Sequence, residues 1–93
     1  MWSRVAKPNA IGYSAVVPRI VVEGFVLRVY SDDHPPAHVH AFRDGAEIRI
    51  YLHGSRPPEE VAGQLKASDR RRAIQLVAEH RTKLLAMWRR FHS

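Results

Sequence analysis

The chain contains no cysteine. This excludes disulfide bonds and thiolate metal sites, and it is consistent with a reducing compartment. The sequence also lacks any apolar run near the roughly 18 residues that a transmembrane helix needs. The first residues, MWSRVAKPNAIGY, carry proline and asparagine where a secretory signal needs an unbroken apolar region. We therefore expect a cytoplasmic protein that does not engage a membrane.

The length of 93 residues is that of one small domain. A hydrophobic fraction of 45% with 26% charged residues is typical of a soluble globular fold. We expect residues 19–93 to form this domain and residues 1–18 to be an N-terminal extension, with a short candidate strand near Tyr13–Val17.

Acidic side chains are scarce in the last third of the chain. Residues 66–93 carry eight basic and two acidic residues, whereas residues 1–65 carry seven of each, so the whole net charge of +6 lies at the C-terminal end. Such an excess favours an anionic partner, either nucleic acid or an acidic protein surface. A solvated helix face would give the same composition.

Short β-branched and aromatic runs around two glycine-containing turns predict two hairpins. Asp44-Gly45 is the stronger turn, and Glu23-Gly24 is the weaker one. Pro35-Pro36 cannot lie in a central strand, so Ser31–Ala37 is expected to be a stiff loop. Glu59–Leu65 is compatible with a fifth strand or a helical turn. The expected strands are Arg19–Val22, Phe25–Tyr30, His38–Phe42 and Ala46–His53.

The C-terminal third predicts one long helix, about Asp69–Phe91, capped by Ser68. With the sheet it gives an α+β fold of four to five antiparallel strands packed against this helix. A basic ridge lies on its outer side: Arg72, Lys83 and Arg90. Arg81 falls in the middle of the apolar stripe, where we expect a buried ion pair or an arginine that reaches towards a site. The stripe consists of Ile74, Val77, Ala78, Leu84, Leu85 and Trp88.

The stretch SDDHPPAHVH holds three of the six histidines. A two-residue turn at Asp44-Gly45 would place His40 opposite Arg49 and His38 opposite Tyr51. Val39 would then point into the core, and both histidines would stand on an open face.

Three interpretations of this face remain. Without a cofactor, His38 and His40 are suited to act as general base and acid on a phosphodiester, with Arg49 or Arg28 stabilising the phosphate. Alternatively His34, His38 and His40 could bind a divalent transition metal such as zinc, and Asp32 or Asp33 could bind or orient from outside this triad. The third interpretation is a purely structural loop.

The run Tyr30-Ser31-Asp32-Asp33-His34-Pro35-Pro36-Ala37-His38-Val39-His40 resembles the signature of small bacterial proteins grouped as domain of unknown function 4160. The ending Glu79-His80-Arg81, Leu84-Leu85 and Trp88 resembles the closing helix of that family. The resemblance implies a gene arrangement like that of toxin–antitoxin pairs, and it transfers no catalytic role.

Together these observations predict a component of toxin–antitoxin type that binds or cleaves nucleic acid, most simply RNA, and that has an antitoxin-like protein partner. If it is an enzyme, metal-independent ribonuclease-like chemistry is the first expectation. The alternatives are a metal-binding domain and a protein–protein module whose basic helix binds an acidic partner. The expected catalytic residues are His38, His40, Arg49 and Tyr51. The expected nucleic-acid contacts are Arg28, Arg72, Lys83 and Arg90.

Overall fold

A computed structural model describes residues 18–92. The candidate strand near Tyr13–Val17 lies outside these residues. Within residues 18–92, five strands precede two helices. The strands are β1 (Arg19–Val22), β2 (Phe25–Arg28), β3 (His38–Arg43), β4 (Ala46–Tyr51) and β5 (Glu59–Ala62), and the helices are α1 (Ala67–Glu79) and α2 (Arg81–His92).

The five strands form one antiparallel sheet in the order of the chain. Both predicted hairpin turns are present. Glu23 and Gly24 have φ of 53° and 80°, and Asp44 and Gly45 have φ of 51° and 79°. Positive φ at both central residues is the geometry of type I′ turns, whose twist matches that of paired strands. Each turn therefore joins its two strands directly.

The predicted register of the second hairpin is confirmed. His38 pairs with Tyr51, His40 with Arg49, and Val39 with Ile50. On the other side of β3, His40 lies opposite Arg28. Because successive side chains of a strand point to opposite faces, His38 and His40 share one face and Val39 points to the other.

The face that bears Val39 forms the hydrophobic core. The buried strand residues include Leu27, Val39, Ala41, Ile48 and Ile50. Each helix contributes three buried residues at helical spacing, Ala73, Leu76 and Val77 from α1 and Leu84, Met87 and Trp88 from α2. These side chains belong to one contiguous cluster, so the helices and the sheet are a single packing unit.

The fifth strand is present: β5 pairs with β4, and the register shifts between Glu47 and Ile48. The shift is a local irregularity at the edge of the sheet. The helical alternative for this segment was wrong.

The prediction of one long helix was wrong. The helix is interrupted at His80, whose φ of −103° and ψ of 16° lie outside the helical range. The His80 side chain donates from Nδ1 to the Leu76 carbonyl oxygen at 2.9 Å, which secures the end of α1. Ser68 is not the cap, since α1 begins at Ala67 and no side chain caps it. Within residues 18–92, no helix is long and apolar enough to cross a bilayer.

The interruption also changes the surroundings of Arg81 and of the basic ridge. Arg81 is exposed, and its Nη2 lies 3.5 Å from His53 Nδ1, so the expected buried ion pair is absent. Arg72 lies on α1, where its guanidinium contacts Glu23 and Glu79. Lys83 and Arg90 are exposed on α2. The three ridge residues therefore do not share one continuous helix, because the break at His80 separates them.

Candidate metal centre

His38 and His40 are buried, each with 6% of its surface exposed. The expectation of an open histidine face was wrong, because aromatic side chains cover it. The His38 ring lies 5.3 Å from the Trp88 ring and 5.6 Å from the Tyr51 ring, and the His40 ring lies 5.0 Å from the Tyr30 ring. The two imidazoles themselves are 5.2 Å apart. Both imidazoles are therefore largely shielded from water, and an ionic partner interacts with them more strongly than it would in solvent.

One carboxylate oxygen lies between the two imidazoles. Asp33 Oδ2 is 3.3 Å from His38 Nε2 and 3.0 Å from His40 Nε2. One donor atom from each of these residues lies within 4.8 Å of the others. His34 is exposed and does not belong to this group. The structure thus brings His38 and His40 together as predicted, but the third member is Asp33.

The second nitrogen of each imidazole is held by an acceptor. His38 Nδ1 donates to the Pro36 carbonyl oxygen at 2.8 Å, and His40 Nδ1 donates to Glu47 Oε2 at 2.7 Å. A carbonyl oxygen can only accept, so the proton of neutral His38 lies on Nδ1 and its Nε2 lone pair points into the cluster. Both nitrogens of His40 face carboxylate oxygens, at 2.7 Å from Glu47 and 3.0 Å from Asp33, so its Nε2 offers a lone pair when the proton lies on Nδ1. This is how metal-ligating histidines are fixed by their outer partners.

The cluster contains two carboxylates and two imidazoles. Within residues 18–92, the ion-pair partners of Asp33 and Glu47 are His38 and His40 alone. Burial lowers the pKa of His38, and the hydrogen bond to Pro36 and the charge of Asp33 oppose this only in part. Burial therefore favours the neutral form of His38, which is the form that can bind a cation through a lone pair.

Arg49 and Tyr51 are engaged elsewhere on the same face. Arg49 Nη1 donates to Glu59 Oε1 at 2.9 Å, and Tyr51 Oη donates to the same oxygen at 3.1 Å. Arg49 lies opposite His40 in the strand pairing, and a positive charge there would oppose the binding of a cation. Its pairing with Glu59 weakens that objection, because much of its charge is compensated there.

Comparison with protein-family models decides the family. The model described as Domain of unknown function (DUF4160) matches residues 24–89, well over half of the chain. This chain belongs to that family. No curated protein and no solved structure matches. The DUF4160 region extends from the first hairpin turn into the last turn of α2 and includes Asp33, His38, His40 and Glu47.

The sequence indicated some of this DUF4160 site and missed the rest. Asp33 was considered, together with Asp32, only as a residue that could bind or orient around a histidine triad. Glu47 was assigned no role, although two-residue alternation places it on the same face of β4 as Arg49, close to His40. Residue spacing also gave no indication of the Pro36 carbonyl or of His92. The Nε2 of His92 lies 2.8 Å from the Asp33 carbonyl oxygen. Their positions depend on how the loop and α2 fold back.

Proposed function

We propose that this protein is a metal-binding domain that holds a divalent transition metal through Asp33 Oδ2, His38 Nε2 and His40 Nε2. One observation carries the proposal. Both Nε2 atoms approach the same carboxylate oxygen, while both Nδ1 atoms donate to acceptors. With neutral imidazoles, three electron-rich atoms face one another, and a cation between them removes that repulsion.

The distances are consistent with coordination. Metal–nitrogen and metal–oxygen bonds near 2.0–2.1 Å at tetrahedral angles separate two ligand atoms by roughly 3.3 Å. The observed separations of 3.3 Å and 3.0 Å are of this size. Two of the three ligand-to-ligand separations are therefore already of the size that coordination requires.

The donor set indicates the class of metal. Two imidazoles and one carboxylate suit zinc or ferrous iron better than calcium or magnesium, which prefer oxygen ligands. Three protein ligands leave at least one coordination position for water or for another molecule. Catalytic zinc sites have this arrangement, whereas structural sites use four protein ligands.

The competing interpretation is an ion cluster without metal, in which His40 is an imidazolium between Asp33 and Glu47. Both of its ring nitrogens face carboxylates, so this state satisfies His40. It leaves the His38 Nε2 lone pair facing Asp33 Oδ2, or it requires a second buried imidazolium, which burial disfavours. The metal satisfies both histidines.

The test is stoichiometry and affinity for zinc, measured on untagged protein by elemental analysis and by competition with a colorimetric chelator. We expect about one ion per chain, and Asp33→Ala or His38→Ala should weaken binding by more than about 100-fold. His34→Ala is the matched control, because His34 is the neighbour of Asp33 and is exposed. Wild-type protein with no metal uptake, or equal losses in the His34 and Asp33 variants, would contradict the proposal.

A second candidate function is binding of a nucleic acid, and the pairing of the strands favours it. Arg19 lies opposite Arg28, which lies opposite His40. The Arg28 guanidinium lies 5.9 Å from the Phe42 ring centroid, and among the described residues neither arginine has a carboxylate partner. Two cross-strand arginines beside an aromatic ring suit a phosphate backbone with a stacked base.

We expect a labelled single-stranded RNA to bind with salt-dependent affinity, measured by fluorescence anisotropy. Arg19→Gln with Arg28→Gln should weaken it. Arg72→Gln should not, since Arg72 is bound to Glu23. Equal effects of the two changes would reject this surface.

The toxin–antitoxin role and an acidic protein partner remain predictions from the resemblance and from charge. Growth arrest on expression, relieved by His38→Ala in protein that stays folded, is the observation that checks the toxin role.

A further inference from the structure

The C-terminal turn of α2 touches two of the three proposed metal ligands. Trp88 lies against His38, with ring centroids 5.3 Å apart. His92 Nε2 lies 2.8 Å from the backbone carbonyl oxygen of Asp33, which accepts a hydrogen bond when Nε2 carries a proton. These contacts join residues that are far apart in sequence, since Asp33 and His92 are separated by 59 positions. One helical turn thus holds both the strand and the loop that supply ligands.

The His92 side chain is itself fixed in place. Its ring stacks on Trp88 with centroids 3.7 Å apart and planes inclined by 10°, and its Nδ1 lies 2.8 Å from the Trp88 carbonyl oxygen. A ring held on its face and at both nitrogens has little rotational freedom. The Nε2–H group therefore occupies a defined point in space.

Asp33 needs such a fixed point more than the histidines do. His38 and His40 belong to β3, which is hydrogen-bonded to β2 and β4 on its two sides. Asp33 lies in the loop between β2 and β3, and among residues 18–92 the backbone bond of its amide is a long one of 3.4 Å to the Tyr30 carbonyl oxygen. Its side chain can lie between the two imidazoles only while its backbone stays where it is.

We propose that His92 is a positioning residue for the metal centre, in which its Nε2–H holds the Asp33 backbone so that Oδ2 completes the site. This inference rests on the proposed metal-binding function. His92 does not touch the metal. It acts through Asp33, as residues outside the ligand sphere do when they orient ligands.

Two variants separate the hydrogen bond from the packing. His92→Phe keeps an aromatic ring to stack on Trp88 and removes the N–H donor. His92→Gln removes the ring and keeps an N–H donor of similar reach. We expect His92→Phe to bind cobalt(II) and zinc about 10-fold more weakly than wild type, whereas His92→Gln should stay within about threefold. Arg89→Ala, at an exposed position of the same helix, is the control.

The spectrum of the cobalt(II) protein supplies a readout that a merely structural residue would not move. Loss of the Asp33 oxygen changes the number and geometry of cobalt ligands and therefore its visible absorption. We expect the His92→Phe spectrum to differ from that of wild type at saturating cobalt and the His92→Gln spectrum to match it.

The outcomes separate the two proposals. Wild-type protein that binds neither cobalt nor zinc would refute the metal centre. Wild-type protein that binds, together with a His92→Phe variant of unchanged affinity and spectrum, would refute only the role of His92. Equal weakening in both variants would also overturn that role, because packing would then be the determinant. If His92→Phe does not fold, a folded His92→Gln variant with weakened binding overturns it, and one with wild-type affinity supports it.

Discussion

Replacement of Glu47 by glutamine tests the electrostatics of the centre with almost no change in shape. The Glu47 side chain is 21% exposed and accepts from His40 Nδ1 at 2.7 Å, and the His40 side chain is 8% exposed. Glutamine keeps an acceptor oxygen at this position and removes the negative charge. His40 then becomes a weaker electron donor to a cation, because no carboxylate supports its Nδ1–H.

The expected loss is about 10- to 100-fold in zinc affinity, equivalent to roughly 1.4–2.7 kcal/mol. At a free zinc concentration about 100 times the wild-type Kd, binding should stabilise the wild-type fold by about 2.7 kcal/mol. The same concentration should stabilise Glu47→Gln by only about 0.4–1.4 kcal/mol. For a domain of this size, the zinc-dependent rise in Tm should fall from roughly 10–20 °C to less than about 11 °C.

The assay is a chelator competition for affinity, paired with thermal unfolding of each protein with and without zinc. Glu60→Gln is the matched control. Glu60 lies on the neighbouring strand β5, but it is exposed and pairs in the strand register with Ile48, whose side chain points to the other face of the sheet. Identical zinc affinities for Glu47→Gln and wild type would refute the reasoning, as would an equal loss in Glu60→Gln.

Three further predictions concern the scaffold. Leu84→Ala shortens a side chain with 0% exposure and should lower the free energy of unfolding by about 2–5 kcal/mol in urea titrations. Arg89→Ala should change that free energy by under about 0.5 kcal/mol. A loss below about 1 kcal/mol for Leu84→Ala would mean that the neighbouring side chains move in to fill the cavity. Gly63 has φ of 60°, and the Cα of Ala46 lies 3.1 Å from the place that a Cβ would take. Gly63→Ala should therefore cost more than about 1 kcal/mol by the same assay, and a neutral result would count against this backbone geometry. The hydrogen bond from Arg72 lowers the pKa of Glu23 from 4.5. The stabilisation by this pair is therefore complete above that value and is lost as the pH falls through the folded-state pKa, so Glu23→Gln should lose less stability than wild type between about pH 5 and pH 3. Parallel curves of stability against pH for the two proteins would show that the pair contributes nothing.

The register of the histidine strand was predictable because two local constraints agree. The two-residue turn at Asp44-Gly45 allows one pairing of the strands, and the alternation of Val39 and Ala41 with Ile48 and Ile50 selects the same pairing. A shift of one residue would expose the isoleucines. Local geometry was therefore sufficient to place both histidine ligands on one face.

Residue spacing alone could not identify Asp33 as the third member of the cluster. Asp33 and His34 are adjacent, and the path of the loop decides which side chain turns inward. That path is set by contacts with β3 and with His92, which lie elsewhere in the sequence. Charge balance was the available clue: an aspartate among histidines compensates a cation better than a third neutral imidazole does.

The break between the helices was missed for a similar reason. No glycine or proline marks His80, and the apolar spacing continues across it from Val77 to Leu84. Propensity and periodicity therefore favour one helix. The cover over the histidine face was missed with it, since Trp88 and His92 both belong to α2.

The proposed ligands and Glu47 lie within the 15 consecutive residues from Asp33 to Glu47. Closing so short a segment costs little chain entropy, so one hairpin brings His38, His40 and Glu47 together. Asp33 lies in the loop before this hairpin, and the C-terminal turn of α2 contacts that loop through His92. A transplanted site would therefore need three parts: the β3–β4 hairpin, the loop that carries Asp33, and a donor in the place of His92.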